Sequence, residues 1–219
     1  MQEFGPKIIF QIAGVEITET VVVTWILMAL IMIFVSVATR RKDKVPHGIQ
    51  NFMEFLVETL NNLVDTTMGS HAKAYRGYMS TLIIFIALAN ISGLFGLRPP
   101  TADANTTMAL SVMTFIMIQY AGIKNRKLGY VKGFFEPFFL MFPMNVIGEL
   151  ANPISLGFRL FGNIVGGLVI MSLLYGALGY IAILPLPALF HVYFDLFSGL
   201  LQSFIFMMLS MVLVSMAIE

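Results

Sequence analysis

The chain contains no cysteine, which excludes disulfides, thiolate metal sites and iron–sulfur ligation. It is also poor in charge. Thirteen Lys and Arg and twelve Asp and Glu make up 11% of its 219 residues, where a soluble domain is about a quarter charged. Hydrophobic residues make up 58% and mean hydropathy is +0.86, so the chain belongs in a bilayer. The N-terminus shows no basic region followed by a short apolar core and a small-residue cleavage site, and we expect no removable signal peptide. No Gly-rich phosphate loop, His-Glu-x-x-His cluster, internal repeat or low-complexity segment is present, and no cofactor, metal or nucleic acid is expected. The sparsest stretch runs from Leu150 to Phe194, 45 residues in which Arg159 is the one formal charge.

What is there is apolar length. A membrane helix needs about 20 predominantly apolar residues. Five stretches qualify: 21–39, 78–97, 107–123, 138–176 and 186–218. Between the first two, residues 51–68 repeat Phe52, Phe55, Leu56, Leu60, Leu63 and Val64 at helical spacing, opposite Glu54, Glu58, Asn61 and Asp65. That pattern predicts an amphipathic helix lying along the inner surface. The expected fold is an all-α membrane protein, one domain over 1–219.

Lys and Arg set the orientation. With the N-terminus outside, inner segments hold Arg40, Arg41, Lys42, Lys44, Lys73, Arg76, Lys124, Arg126, Lys127 and Lys132, while outer segments hold Lys7 and Arg98. The C-terminus is then cytoplasmic. The last two stretches exceed the ~30 Å hydrocarbon thickness at about 1.5 Å per residue, even allowing breaks at Pro143 and Pro153. Tilting accommodates such excess, so they are expected to form a steeply inclined hairpin.

A guanidinium keeps its proton in a protein, so Arg159 must be stabilised as a cation. Helical spacing places Asn152, Ser155, Gly162, Asn163 and Gly166 on its face, with no carboxylate three or four residues away. A second stripe, His191, Asp195, Ser198, Gly199 and Gln202, is expected on the last helix. Ionisable residues inside spans often mark ion pathways, although Arg159 could instead form a buried structural bridge with Asp195.

The segments "SLGFRLFGN" and "QSFIFMMLSMVLVSMA" resemble the two terminal helices of subunit a of bacterial F-type ATP synthases. "PTADANTT" resembles that family's outer loop, and "GIQNFMEFLVETL" its membrane-surface helix. The resemblance implies a stator beside a rotating ring of c subunits, held by peripheral-stalk b subunits and surrounded by lipid. Two offset half-channels would carry protons, or sodium ions, to and from the ring carboxylates. It further implies that Arg159 faces those carboxylates, with Asn163 and Gln202 beside it.

Asp195, Gln202 and Asp103, with His191, are the outer-channel candidates; Glu149 and Ser155 are the inner ones. Asp103 could equally cap the third span with Thr106 and Thr107, and His191 could be an interfacial structural residue. The chain departs from the family at Leu168, nine positions after the arginine, where many members carry an ionisable residue paired with the position of Asp195. The rival reading is a self-contained ion-coupled transporter, which would usually show an internal repeat.

The lack of cysteine makes the topology directly testable. Lys132→Cys should react with a membrane-impermeant maleimide only from the inside, and Asn105→Cys only from the outside. The opposite pattern would invert the orientation.

Overall fold

The computed structural model describes residues 7–12, 14–39, 48–135, 138–178 and 186–218. The basic run from Arg40 to Lys44 and the turn between the last two spans lie outside the described residues. The chain opens with a feature the sequence reading did not anticipate, an antiparallel hairpin of β1 (Ile8–Ile12) and β2 (Val15–Thr18), with Gly14 at φ +83° between the strands. β-Branched runs on either side of a glycine were its signal. The hairpin feeds directly into helix α1 (Glu19–Thr39).

Four more helices precede the long hairpin: α2 (Ile49–Met68), α3 (Ala72–Ile91), α4 (Ala104–Arg126) and the short α5 (Leu128–Gly133). Then come α6 (Phe142–Leu178), α7 (Leu186–His191), a π-helical segment (Val192–Ser198) and α8 (Gly199–Ile218). Helical stretches at 19–39, 49–95, 104–126, 139–177 and 189–218 are long and apolar enough to cross a membrane. The second joins α2 to α3 through a tight turn at Gly69–His71. Gly69 adopts φ +58° there, and Arg76 closes the turn with two hydrogen bonds to the Asp65 carboxylate.

At 37 residues α6 is about 55 Å long. It runs unbroken through Pro153, contrary to the break allowed for in the sequence, with only the backbone bond to the Glu149 carbonyl removed.

Two apolar clusters hold the bundle. One joins Val64 and Met68 of α2 to Tyr75 and Met79 of α3 and to Met207 and Met211 of α8. The other joins Leu82 and Ile86 of α3, Leu110 of α4, Leu156 and Leu160 of α6, and Phe206 of α8. The apolar stripe of α2 is divided: Leu60 and Val64 are buried, whereas Phe52 and Phe55 remain exposed. α1 stands largely outside the core, with Trp25, Leu30, Met32 and Ile33 exposed, as befits a face in contact with acyl chains.

Several polar groups inside the bundle are paired across helices. Asn90 of α3, 1% exposed, donates from Nδ2 to the Gly199 carbonyl at 2.7 Å and to Ser203 Oγ at 3.1 Å. Its Oδ1 accepts from Thr101 at 2.6 Å. Gly199 is required for this approach, since a Cβ there would lie 2.9 Å from that of Asn90.

Asn90→Ala strands these partners in a dry interior and should cost about 2 kcal/mol. For a chain of this size that lowers the melting temperature by roughly 4–8 °C, measurable by thermal unfolding of the detergent-solubilised complex.

Candidate functional site

α6 buries one face and leaves the other open. On the buried side Gly157 meets α4 so closely that a Cβ would lie 2.7 Å from Met108 Sδ, and Gly167 abuts Phe194, with a Cβ–Cβ distance of 3.3 Å. About 120° around the helix from that buried face stands Arg159. It is exposed, as are Ser155, Gly162 and Asn163 beside it. Nothing lies within 4 Å of a Cβ placed at Gly162 or Gly166, so the surface around the guanidinium is open and small-sided.

Among the described residues, Arg159 has no hydrogen-bond or ion-pair partner. The structural bridge to Asp195 is therefore not formed. One turn on, Asn163 Nδ2 donates to Gln202 Oε1 at 2.6 Å, tying the open face of α6 to α8. Gln202 itself is 1% exposed.

The expected stripe on the last helix does not stay on one face. The segment Val192–Ser198 is π-helical, which adds residues per turn and breaks the α-helical phase. Asp195 turns toward the end of α3, its Cγ 3.3 Å from a Cβ placed at Gly93, while Gln202 turns toward α6. The carboxylate of Asp195 lies 2.6 Å from His191 Nδ1, and His191 Nε2 lies 2.9 Å from the Tyr175 hydroxyl of α6. Besides the Asn163–Gln202 tie, a polar crossing within the hairpin is thus made by Tyr175 and His191, not at Leu168. Tyr175 escaped the sequence reading because nothing distinguishes one tyrosine in an apolar run.

Asp103 stands apart from this group. Its Oδ1 accepts from the Asn105 backbone N–H at 3.0 Å, capping α4, and its Oδ2 accepts from Thr20 of α1 at 2.8 Å. Its backbone carbonyl also accepts the Thr107 N–H at 3.2 Å. Asp103 is buried and fastens α1 to the rest of the bundle.

Glu149 lies ten residues before Arg159, about 15 Å along the helix. Its Oε1 accepts from Gln119 Nε2 at 3.2 Å and from the Tyr130 hydroxyl at 3.3 Å. That hydroxyl is also 3.1 Å from Gln119 Oε1. Burial first, then the negative charge of Glu149, pushes the Tyr130 phenol up to about 12, so it remains a donor at working pH. Neither Gln119 nor Tyr130 was anticipated, since both sit far from Glu149 in sequence.

Arg159 therefore lies between two separate polar groups, Gln119–Tyr130–Glu149 toward one end of α6 and Tyr175–His191–Asp195 toward the other. Among the described residues no cluster of His, Asp and Glu could hold a metal ion.

Comparison with known proteins identifies the family. The family described as ATP synthase A chain matches residues 21–215. The "ATP synthase subunit a, sodium ion specific" of Propionigenium modestum is 37% identical, over 95% of this chain and 77% of its own length. ATP synthase subunit a of Moorella thermoacetica is 36% identical, over 96% of this chain and 95% of its own. With a family match over most of its length, and relatives of this identity that it covers over 77% and 95% of their lengths, the chain belongs to the ATP synthase subunit a family.

Proposed function

We propose that this chain is the stationary ion-conducting subunit of a rotary ATP synthase, in which Arg159 faces a passing carboxylate on a ring of c subunits. The observation that carries the reading is an exposed, unpaired guanidinium on the one face of α6 that the bundle leaves open. A cation there is expensive in hydrocarbon and calls for an anionic partner. Small neighbours at Gly162 and Gly166 let that partner come close, and Asn163 bonded to Gln202 fixes the platform beside it.

The charge also suits the chemistry. A fixed cation favours ionisation of a carboxylate brought beside it and so promotes release of the carried ion. Because arginine does not give up its own proton, it blocks a direct leak between the two sides. Lysine would do neither as well.

In this reading the two polar groups mark two offset half-channels. Tyr175, His191 and Asp195, with Gln202, serve the outer one; Glu149 and Ser155 serve the inner one. Asp103, engaged as a cap and an interhelical tie, has the weakest claim to an ion-carrying role. The N-terminus is outside and the C-terminus cytoplasmic, α2 lies along the inner surface, and b subunits and lipid complete the surroundings. The carried ion is a proton or a sodium ion; the Propionigenium modestum relative is named as sodium-specific. A self-contained transporter would need its own carboxylate against Arg159, and the candidate on the last helix, Asp195, is bound to His191.

In vesicles containing the whole complex, Arg159→Ala should lower gradient-driven ATP synthesis by about a hundredfold or more, the scale of removing a preorganised charge from its site. Passive ion leakage, followed in parallel with a pH dye and sodium uptake, should rise and will identify the ion. Unchanged coupled synthesis would reduce Arg159 to a structural charge and remove the reading.

A further inference from the structure

Two clefts open around Glu149. The larger, about 400 Å³, is lined by Arg126, Tyr130, Asn145, Glu149, Asn152 and Met216 among others. The smaller, about 280 Å³, is lined by Gln119, Tyr130 and Glu149 with apolar side chains of α4 and α6. Tyr130, Phe134 and Glu149 line both clefts and so form the wall between them.

That wall is built with little slack. The Tyr130 ring lies directly on Gly122 of α4, where a Cβ would come within 2.5 Å of it. On its other side it meets Phe134 edge-on at 5.3 Å. Its hydroxyl is thereby held against the Gln119–Glu149 pair. Gln119 Nε2 and the Tyr130 hydroxyl both lie within hydrogen-bond distance of Oε1 of Glu149, the hydroxyl sharing its one proton with Gln119 Oε1, and among the described residues Oε2 has no hydrogen-bond partner.

We infer that Tyr130, assisted by Gln119, is the positioning residue of the inner ion path: it pins one oxygen of Glu149 and leaves the other free to take the cation crossing between the two clefts. This rests on the ion-conducting reading above. It assigns α5 a role, since this short helix between two spans exists in the structure to bring Tyr130 under α6. Only Arg126 and Tyr130 join Glu149 as ionisable groups around the larger cleft, and α8 contributes only Leu213, Met216 and Ala217 there.

The test uses the intact complex in proteoliposomes, measuring ATP-driven ion transport across a range of inner-side pH. Tyr130→Phe keeps the ring on Gly122 and removes the hydroxyl. It should slow transport about tenfold or more, as loss of one hydrogen bond to a charged group does, and displace the inner-side pH profile. In a Glu149→Gln background the same change should add nothing, because both act through one carboxylate. Additive losses, or a wild-type rate and profile in Tyr130→Phe, would overturn the inference. Arg159→Ala, run alongside, separates the two claims: if it abolishes coupling while Tyr130→Phe is silent, only the inference falls, and if coupling survives it, the reading itself falls. Should Tyr130→Phe fail to assemble, Gln119→Leu removes the second donor and is judged by the same outcomes.

Discussion

A guanidinium that cannot discharge, and that has no partner among the described residues, is the constraint around which this structure is arranged. Arg159 stands open because α6 spends a different face, about 120° away, on the bundle. Gly157 admits α4 at a distance that a Cβ would not allow, Gly167 lets Phe194 come close, and Leu156 and Leu160 fill the core between. Close packing on one side is thus the condition for an unobstructed cation on the other. In a membrane, where apolar contacts between helices gain nothing over contacts with lipid, small residues and interhelical hydrogen bonds are the means of setting such packing.

The buried polar residues follow the same logic at other levels of the bundle. Asn90 joins α3, the loop at Thr101 and the start of α8, and Asp103 joins α1 to α4. Each satisfies several partners at once, as a dry interior requires. Asp103 shows how an acidic residue in a suggestive motif can be wholly occupied by architecture: both carboxylate oxygens already have donors from the fold.

Much of this was legible from residues alone, because hydropathy and helical periodicity are local. The apolar lengths, the amphipathic character of α2 and the isolation of Arg159 could be read from the chain itself. The resemblance of its terminal segments led to the family that the comparisons then established. What escaped depended on contacts between distant positions. Glu149 could be singled out, but its tie to Tyr130 and Gln119 needs α5 folded back beneath α6. The N-terminal hairpin was hidden by an expectation of helix throughout. The stripe drawn through His191, Asp195 and Gln202 assumed an unbroken α-helical phase, and Pro153 looked like a break in a helix that in fact continues.

The π-helical segment from Val192 to Ser198 has one more consequence. A widened turn stores an extra residue in the backbone, so that everything before it is rotated by about 100° relative to everything after it, compared with an uninterrupted helix. The aim of Asp195 toward α3 and of Gln202 toward α6 is therefore encoded in chain length, not in the identity of either side chain. A one-residue deletion ahead of Asp195, within Val192–Phe194, would let the ordinary ladder re-form while keeping Asp195 and Gln202 seven residues apart, and would swing the two groups back into line. In this helix, counting residues matters as much as choosing them.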